Sequence, residues 1–319
     1  MTGNGQRRLV PSPRMISDDS SGAGVTASVT RWGHRWRLST GPWSLWLLAA
    51  TLPLSLVWIA LIAQGSVAFD WRIFAEASDR VRTGELYAVT DTYAYRYSPL
   101  LAYLLGPLTA LGPWAWRAAI VLSALALPTW PMRLAVLVSW PFWFDVQHGG
   151  TMTFALLAAA WALRDHKAAV VAYLALVLLI PRPLFLPVAA WVLWREPWVR
   201  APFAGMAAAA VLGALATGYA DEWIGRLLAS SDEMGSLWNL GPSRLIGAAW
   251  LAIGVPLAAW LTWKGRVGLA SLAFSPYLLP YYFLFGLLGF ENGDVHGIVP
   301  RVGGRSDALA EPLPTVGPA

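Results

Sequence analysis

The chain has 319 residues, 57% of them hydrophobic and 13% charged, with 20 Trp, no Cys and a mean hydropathy of +0.51. A soluble domain of this size has nowhere to hide so much apolar surface, and the same composition excludes disorder over most of the chain. The net charge is only +5, and six Arg fall in the first 42 residues. The basicity is therefore a membrane-orientation signal rather than a nucleic-acid signal. Without cysteine there are no disulfides, thiolate metal sites, thiol nucleophiles or S-acylation.

Residues 1–42, rich in Ser, Gly, Pro and Arg, read as a disordered basic tail. Arg31, Arg35 and Arg37 would lie beside the membrane, with Trp32 and Trp36 at headgroup level. Trp43 to Ala63 is an apolar run of 21 residues, roughly 31 Å as a helix. It predicts a first span with a cytoplasmic N-terminus in a multi-pass protein of the cell membrane. Residues 64–96 form a charged loop. From Asp70 to Gly84 the apolar residues Trp71, Phe74, Ala75 and Val81 follow helical spacing, while Arg72, Glu76 and Arg80 recur every four residues on another face. The pattern predicts an amphipathic helix on the outer membrane surface, ended by Gly84.

Beyond it, apolar runs alternate with short polar breaks, and spans are expected at about 97–111, 113–128, 149–163, 167–180, 182–195, 198–218, 242–263 and 268–290. With the first, these make about nine transmembrane helices in one domain over 43–290. Leu134 to Phe144 has only 11 residues and contains Pro141. If it crosses, Arg164, Lys167 and every later basic loop fall outside, and the positive-inside rule favours a re-entrant segment. This parity places Arg164, Lys167, Arg195, Arg200, Lys264 and Arg266 on the cytoplasmic side and the acidic loop 219–240 outside. Asp70, Asp145, His148, Arg182 and Asn239 then share the outer side. Residues 291–319 read as a disordered tail. Gly205, Ala209 and Gly213 form a ridge that permits close helix packing.

No phosphate-cradling Gly loop with Lys, no G-x-S-x-G and no H-E-x-x-H occurs. The four His are scattered, so no metal site is expected. Asp70 is either an N-cap of the surface helix or a general base near the interface, where desolvation raises its basicity. Tyr97 and its neighbouring tyrosines suit a headgroup belt, whereas Arg96 stands where a lipid phosphate would lie. Asp145, Gln147 and His148 form a polar turn with Gly149 and Gly150, or else line a membrane cavity. Arg182, between Pro181 and Pro183, either snorkels to headgroups or clamps an anionic phosphate. Asn239 and Ser243 either cap a late helix or contact substrate. Arg117, Arg133 and Arg226 look like interfacial anchors.

Taken in order, these pieces resemble the GT-C superfamily of integral-membrane glycosyltransferases, and most closely glycosyltransferase family 87, the polyprenol-phosphate-mannose-dependent type. The resemblance rests on Asp70, Trp71, Phe74, Gly84 and Tyr87; on Tyr97-Ser98-Pro99-Leu100; and on Gln147 to Gly150 as a Gly-Gln-x-Asn-like turn. Arg182-Pro183 stands for a Lys-Pro element, Asn239 and Ser243 for an Asn-x-Ser element, and Tyr281 occupies a place where a His is often found. It implies an all-α GT-C bundle that transfers a sugar, mannose or a related one, with inversion. The donor would be a polyprenyl-phosphate sugar and the acceptor a lipid or glycan. Asp70 would be the base, and Arg182, joined by Arg96, the phosphate clamp. Gln147 and His148 would orient hydroxyls, and no cofactor beyond the lipid-linked donor is needed. The alternatives are a transporter or flippase for a lipid-linked or anionic solute, and a non-catalytic scaffold derived from such an enzyme.

Overall fold

The structure is a computed structural model that describes residues 42–66, 68–88, 95–228 and 238–289. The expectations for both tails, for 89–94 and for 229–237 lie outside these residues. Contacts divide the chain after Leu47. Of the first unit, only the opening turn of one helix is described; the core and the polar cluster belong to the second, Leu48–Ala319. The described residues are helical, with no β-strand among them.

Helix α1 (Pro42–Ala63) is followed by α2 (Phe69–Arg80), then α3 (Pro99–Thr109) and α4 (Gly112–Leu125). Next come α5 (Trp130–Val138), α6 (Trp140–His148), α7 (Met152–Ala162), α8 (Lys167–Leu179) and α9 (Leu186–Arg195). The chain continues through α10 (Arg200–Ala216), α11 (Ala220–Leu228), α12 (Ser243–Ile246), α13 (Trp250–Trp263) and α14 (Val267–Phe274), ending in a 3-10 segment, Pro280–Gly289. α7 and α8 pack together at the centre, and their Met152, Leu156, Tyr173 and Leu174 join Phe74, Ile120, Phe142, Phe185 and Phe285 in one buried core. The outward faces of α3, α4, α10 and α13 expose Leu104, Leu122, Leu212 and Trp260. Apolar side chains turned outward on several helices suit a hydrocarbon environment.

Among the described residues, two helical stretches are long and apolar enough to cross a membrane: Pro197–Ala216, with 20 residues, and Ser243–Trp263, with 21. α3 and α4 make a third only if counted as one broken span, because they meet at 103°. The two helices follow the expected segments 97–111 and 113–128 and part where those segments part. The bend falls where Gly112 takes a φ of +87°, a conformation that suits glycine. The expected span at 268–290 is broken. α14 stops after 8 residues, and Ser275–Leu279 leaves the helix around Pro276 and before Pro280, whose rings remove backbone donors. The expected re-entrant run is two helices of nine residues each. They are separated at Ser139, whose extended backbone precedes the Trp140-Pro141 start of α6. Ser55 on α1 donates to Val138 at this break, at 2.9 Å.

α2 follows its expected pattern. Phe74, Ala77 and Val81 are buried, Glu76 accepts from Arg72 and Arg80 at 2.7 and 3.0 Å, and the chain turns at Gly84 with φ +84°. The segment after α2 meets α11. The Tyr219 hydroxyl donates to the Val81 carbonyl at 3.3 Å, and the Arg226 guanidinium to the Tyr87 carbonyl at 2.8 Å. Arg226, expected as an interfacial anchor, thus latches two segments to each other.

A polar tie fixes the last segment. Asn239, wholly buried, accepts from the Gly241 and Leu278 N–H groups at 2.8 and 3.0 Å and donates to Ser243 at 2.9 Å. Ser243 donates in turn to the Pro276 carbonyl. An irregular strap needs such bonds, since its backbone has no ladder of its own. Asn239→Ala strands two buried N–H groups, and a loss of about 2–4 kcal/mol is expected. Tryptophan-monitored unfolding of the detergent-solubilised chain measures it; a loss under about 1 kcal/mol would contradict the tie.

Candidate functional site

Asp70 is the second residue of α2. The N-cap position belongs to Ala68, and no side chain caps this helix. The capping role considered for Asp70 is therefore corrected, and its carboxylate is available for other partners. The start of α2 is brought against the end of α6 by Gly149, which ends that helix with φ +70°. A Cβ on Gly149 would stand 2.8 Å from Cβ of Trp71, so only glycine permits this approach. Trp116 on α4 donates to the Gly149 carbonyl at 2.9 Å and holds the turn from its other side.

Arg182 reaches the same place from the break between α8 and α9. The prolines on each side end α8 and hold Arg182 in extended backbone, with φ −114° and ψ 133°. Its guanidinium donates to the hydroxyls of Tyr97 and Tyr282. Cζ lies 5.2 and 5.5 Å from the centroids of those two rings. Tyr97 is delivered by the Ser98 N–H, which donates to the Leu179 carbonyl at the end of α8 at 3.0 Å. Tyr87 secures it further by donating to the Tyr97 carbonyl at 2.7 Å. Tyr282 is delivered by the strap that Asn239 pins.

The neighbouring residue, Tyr281, donates its hydroxyl to Asp70, which also feels the charges of His148 and Arg182. Asp70, His148, Arg182, Tyr97, Tyr281 and Tyr282 thus form one cluster drawn from five stretches of chain. Asp70 keeps some accessible surface, but protein surrounds it. Burial pushes its carboxyl above the usual carboxylate range, while His148, Arg182 and the Tyr281 hydroxyl pull it back. The His148 ring stacks on Phe144 at 3.9 Å. Its Nδ1 lies 2.9 Å from the Phe144 carbonyl, which only accepts, so Nδ1 carries a hydrogen. In the neutral ring this leaves Nε2 as an acceptor.

The remaining expected site residues divide. Asp145 borders the cluster: it is fully buried, and its Oδ2 accepts from the N–H and hydroxyl of Thr153 at 2.9 and 2.6 Å. Gln147 turns elsewhere, donating to Ser66 at 3.3 Å. Arg96 is half-buried and adjacent in sequence, but the guanidinium that meets Tyr97 is that of Arg182. Asn239 and Ser243, expected as substrate contacts, are buried in the tie to Leu278 and Pro276. Their place is to position Tyr281 and Tyr282.

Three features are not apparent from residue pattern. Arg117 is buried rather than interfacial, and donates to the carbonyls of Ser66, Val146 and Gln147, binding the end of α6 to the α1–α2 linker. Tyr282 stands out in sequence only as half of a Tyr-Tyr pair. Gly150 reads as a bend, whereas its missing side chain makes room for Asp145 and Asp70. Elsewhere, an open cleft of about 440 Å³ is lined by Gly84, Glu85, Tyr87, Glu222 and Arg226. Its arginine is already engaged with the Tyr87 carbonyl, and it contains none of the cluster residues. Among the described residues no group of three metal-ligating side chains occurs.

No family model, no curated protein and no solved structure matches the chain. A Cβ on Gly150 would stand 2.1 Å from Oδ1 of Asp145, an oxygen whose carboxyl is tethered through Thr153. Gly150→Ala is expected to destabilise by about 1–3 kcal/mol through overpacking. Unfolding of the variant beside wild type checks this, and unchanged stability would mean that the turn is not closely packed.

Proposed function

We propose that the chain is an integral-membrane glycosyltransferase of the GT-C type, using a polyprenyl-phosphate sugar as donor and a lipid or glycan hydroxyl as acceptor at the outer face of the cell membrane. One observation carries the reading. A desolvated carboxylate and a half-buried guanidinium flanked by two tyrosine hydroxyls meet in one cluster. The first suits removal of a proton, and the second suits an anionic leaving group.

Asp70 takes the proton of the acceptor hydroxyl as that oxygen bonds to the anomeric carbon. The bond from the anomeric carbon to the phosphate oxygen breaks, and its electron pair leaves with the polyprenyl phosphate. Arg182 holds the phosphate, joined by Tyr97 and Tyr282, whose hydroxyls can turn from accepting Arg182 to donating to a phosphate oxygen. Attack opposite to the leaving group inverts the anomeric centre. Asp70, then a neutral acid, returns its proton to water. The sugar, mannose or a related one, is supported only by the family resemblance.

The finer architecture belongs to this proposal as well: about nine crossings, a re-entrant α5–α6 pair and a cytoplasmic N-terminus. α7 and α8, with 11 and 13 residues, reach only roughly 16–20 Å. Their crossing requires local thinning of the bilayer or end-to-end pairing with a neighbour.

Purified protein supplied with labelled polyprenyl-phosphate sugars and mixed lipid and glycan acceptors tests the chemistry. Asp70→Asn is expected to lower transfer at least about 100-fold, and Arg182→Met to weaken donor use. Undiminished transfer by Asp70→Asn would reject the base. Solute movement across vesicles without covalent transfer would instead favour a transporter.

A pH profile adds a second test. Asp70 works ionised, so activity falls as pH drops through its pKa. Tyr281→Phe removes a donor that favours the ionised form, so the acid limb should move to higher pH. An unmoved limb would contradict the Tyr281–Asp70 contact.

A further inference from the structure

Asp145 has no part in the proposed transfer reaction, yet it is the most deeply buried acid of the region. It lies in the last turn of α6, wholly covered. Thr153 supplies both donors to Oδ2, while Oδ1 is buried without any donor from the protein. The unpartnered oxygen stands 2.1 Å from the point where a Cβ on Gly150 would be, and Oδ2 of Asp70 stands 3.3 Å from the same point. Two carboxyl groups therefore flank a single niche whose floor is a glycine.

Two carboxyl groups this close, one wholly buried and the other largely so, oppose each other's ionisation, because each anion raises the pKa of the other where water screens little. The surrounding groups decide which one keeps the proton. Arg182 and the Tyr281 hydroxyl face Asp70 and favour its anion; His148 adds to this only when protonated, and burial lowers its pKa. Arg117 lies beyond His148, with its donors committed to backbone carbonyls. Asp145 faces the neutral Thr153, the backbone N–H of Met152 and the charge of Asp70; no cation among the described residues faces it. The Thr153 bonds do not require an anion: the carbonyl oxygen of a neutral acid accepts both, leaving the hydroxyl of the acid at Oδ1.

We propose that Asp145 is a neutral acid in the folded protein at neutral pH, its proton on Oδ1 and directed across the Gly150 niche toward Asp70. It acts as a positioning residue. It confines the niche to one negative charge, places that charge on Asp70 and offers Asp70 a donor. This goes beyond glycosyl transfer and stands without it, since the protonation state of Asp145 is a property of the ligand-free chain.

Infrared spectroscopy of the full-length protein in detergent tests it directly. The wild type at neutral pH should show the C=O stretch of a neutral carboxylic acid. That band should vanish in Asp145→Asn. In Asp70→Asn it should remain at low pH but titrate away at lower pH than in the wild type, because the opposing charge is gone. Absence of the band from the wild type at neutral pH overturns the proposal. So does a band that survives Asp145→Asn and disappears in Asp70→Asn, which would put the proton on Asp70.

Thermal unfolding supplies a second readout. Asn is isosteric with the neutral acid, accepting from Thr153 and donating into the niche, so Asp145→Asn should melt close to wild type while Asp145→Leu loses stability. Collapse of the Asn variant alongside the Leu variant contradicts a neutral role. None of these measurements needs a substrate, so failure to find transferase activity leaves the inference standing, and its failure leaves the transferase reading to its own test.

Discussion

A guanidinium between two prolines, inside a bundle whose other side chains are mostly apolar, has to be given polar partners or face water. Much of the described structure can be understood as the means by which Arg182 receives them. The break between α8 and α9 projects it. The backbone bond from Ser98 to Leu179 brings Tyr97 to one side, and the strap tied by Asn239 and Ser243 brings Tyr282 to the other. The same strap places Tyr281 on Asp70. Acid and guanidinium are thus coupled through adjacent residues of one irregular segment, and a disturbance of that segment reaches both.

On the opposite side of Asp70 the constraint is steric. Gly149 and Gly150 let the start of α2 settle on the end of α6, and Trp116 and Arg117 of α4 fasten that junction through backbone carbonyls. Arg117 is engaged at the carbonyl end of α6, where a cation is favoured by the helix dipole as well as by direct hydrogen bonds. The cluster therefore sits where chain ends and breaks converge. Polar backbone left free by interrupted helices is satisfied there by side chains.

Much of this is legible in residue pattern. The amphipathic α2, its Arg72–Glu76–Arg80 ladder and its end at Gly84 follow from helical spacing. The isolation of Arg182 between two prolines after an apolar run, and the place of Asp70 at the start of the surface helix, mark both in the sequence. Continuity is less legible. The apolar run at 268–290 looks like a span by hydropathy, but hydropathy does not report the helix loss around Pro276 and Pro280. Side-chain partnership is the least legible. Arg117 and Arg226 look like any arginine beside an apolar run, and Asn239 and Ser243 like substrate contacts, until the backbone groups they satisfy are in place. The role of Gly150 is invisible in sequence because it consists of an absent side chain.

The central claim is that Asp70 and Arg182 open to one aqueous compartment on the same side of the bilayer. The chain has no cysteine, so single Asp70→Cys and Arg182→Cys variants can be labelled in sealed, oriented vesicles with a membrane-impermeant thiol reagent, without any background to remove. Both positions should react from the same side, and an anionic phospholipid analogue should slow both. Reaction of the two from opposite sides would contradict the account.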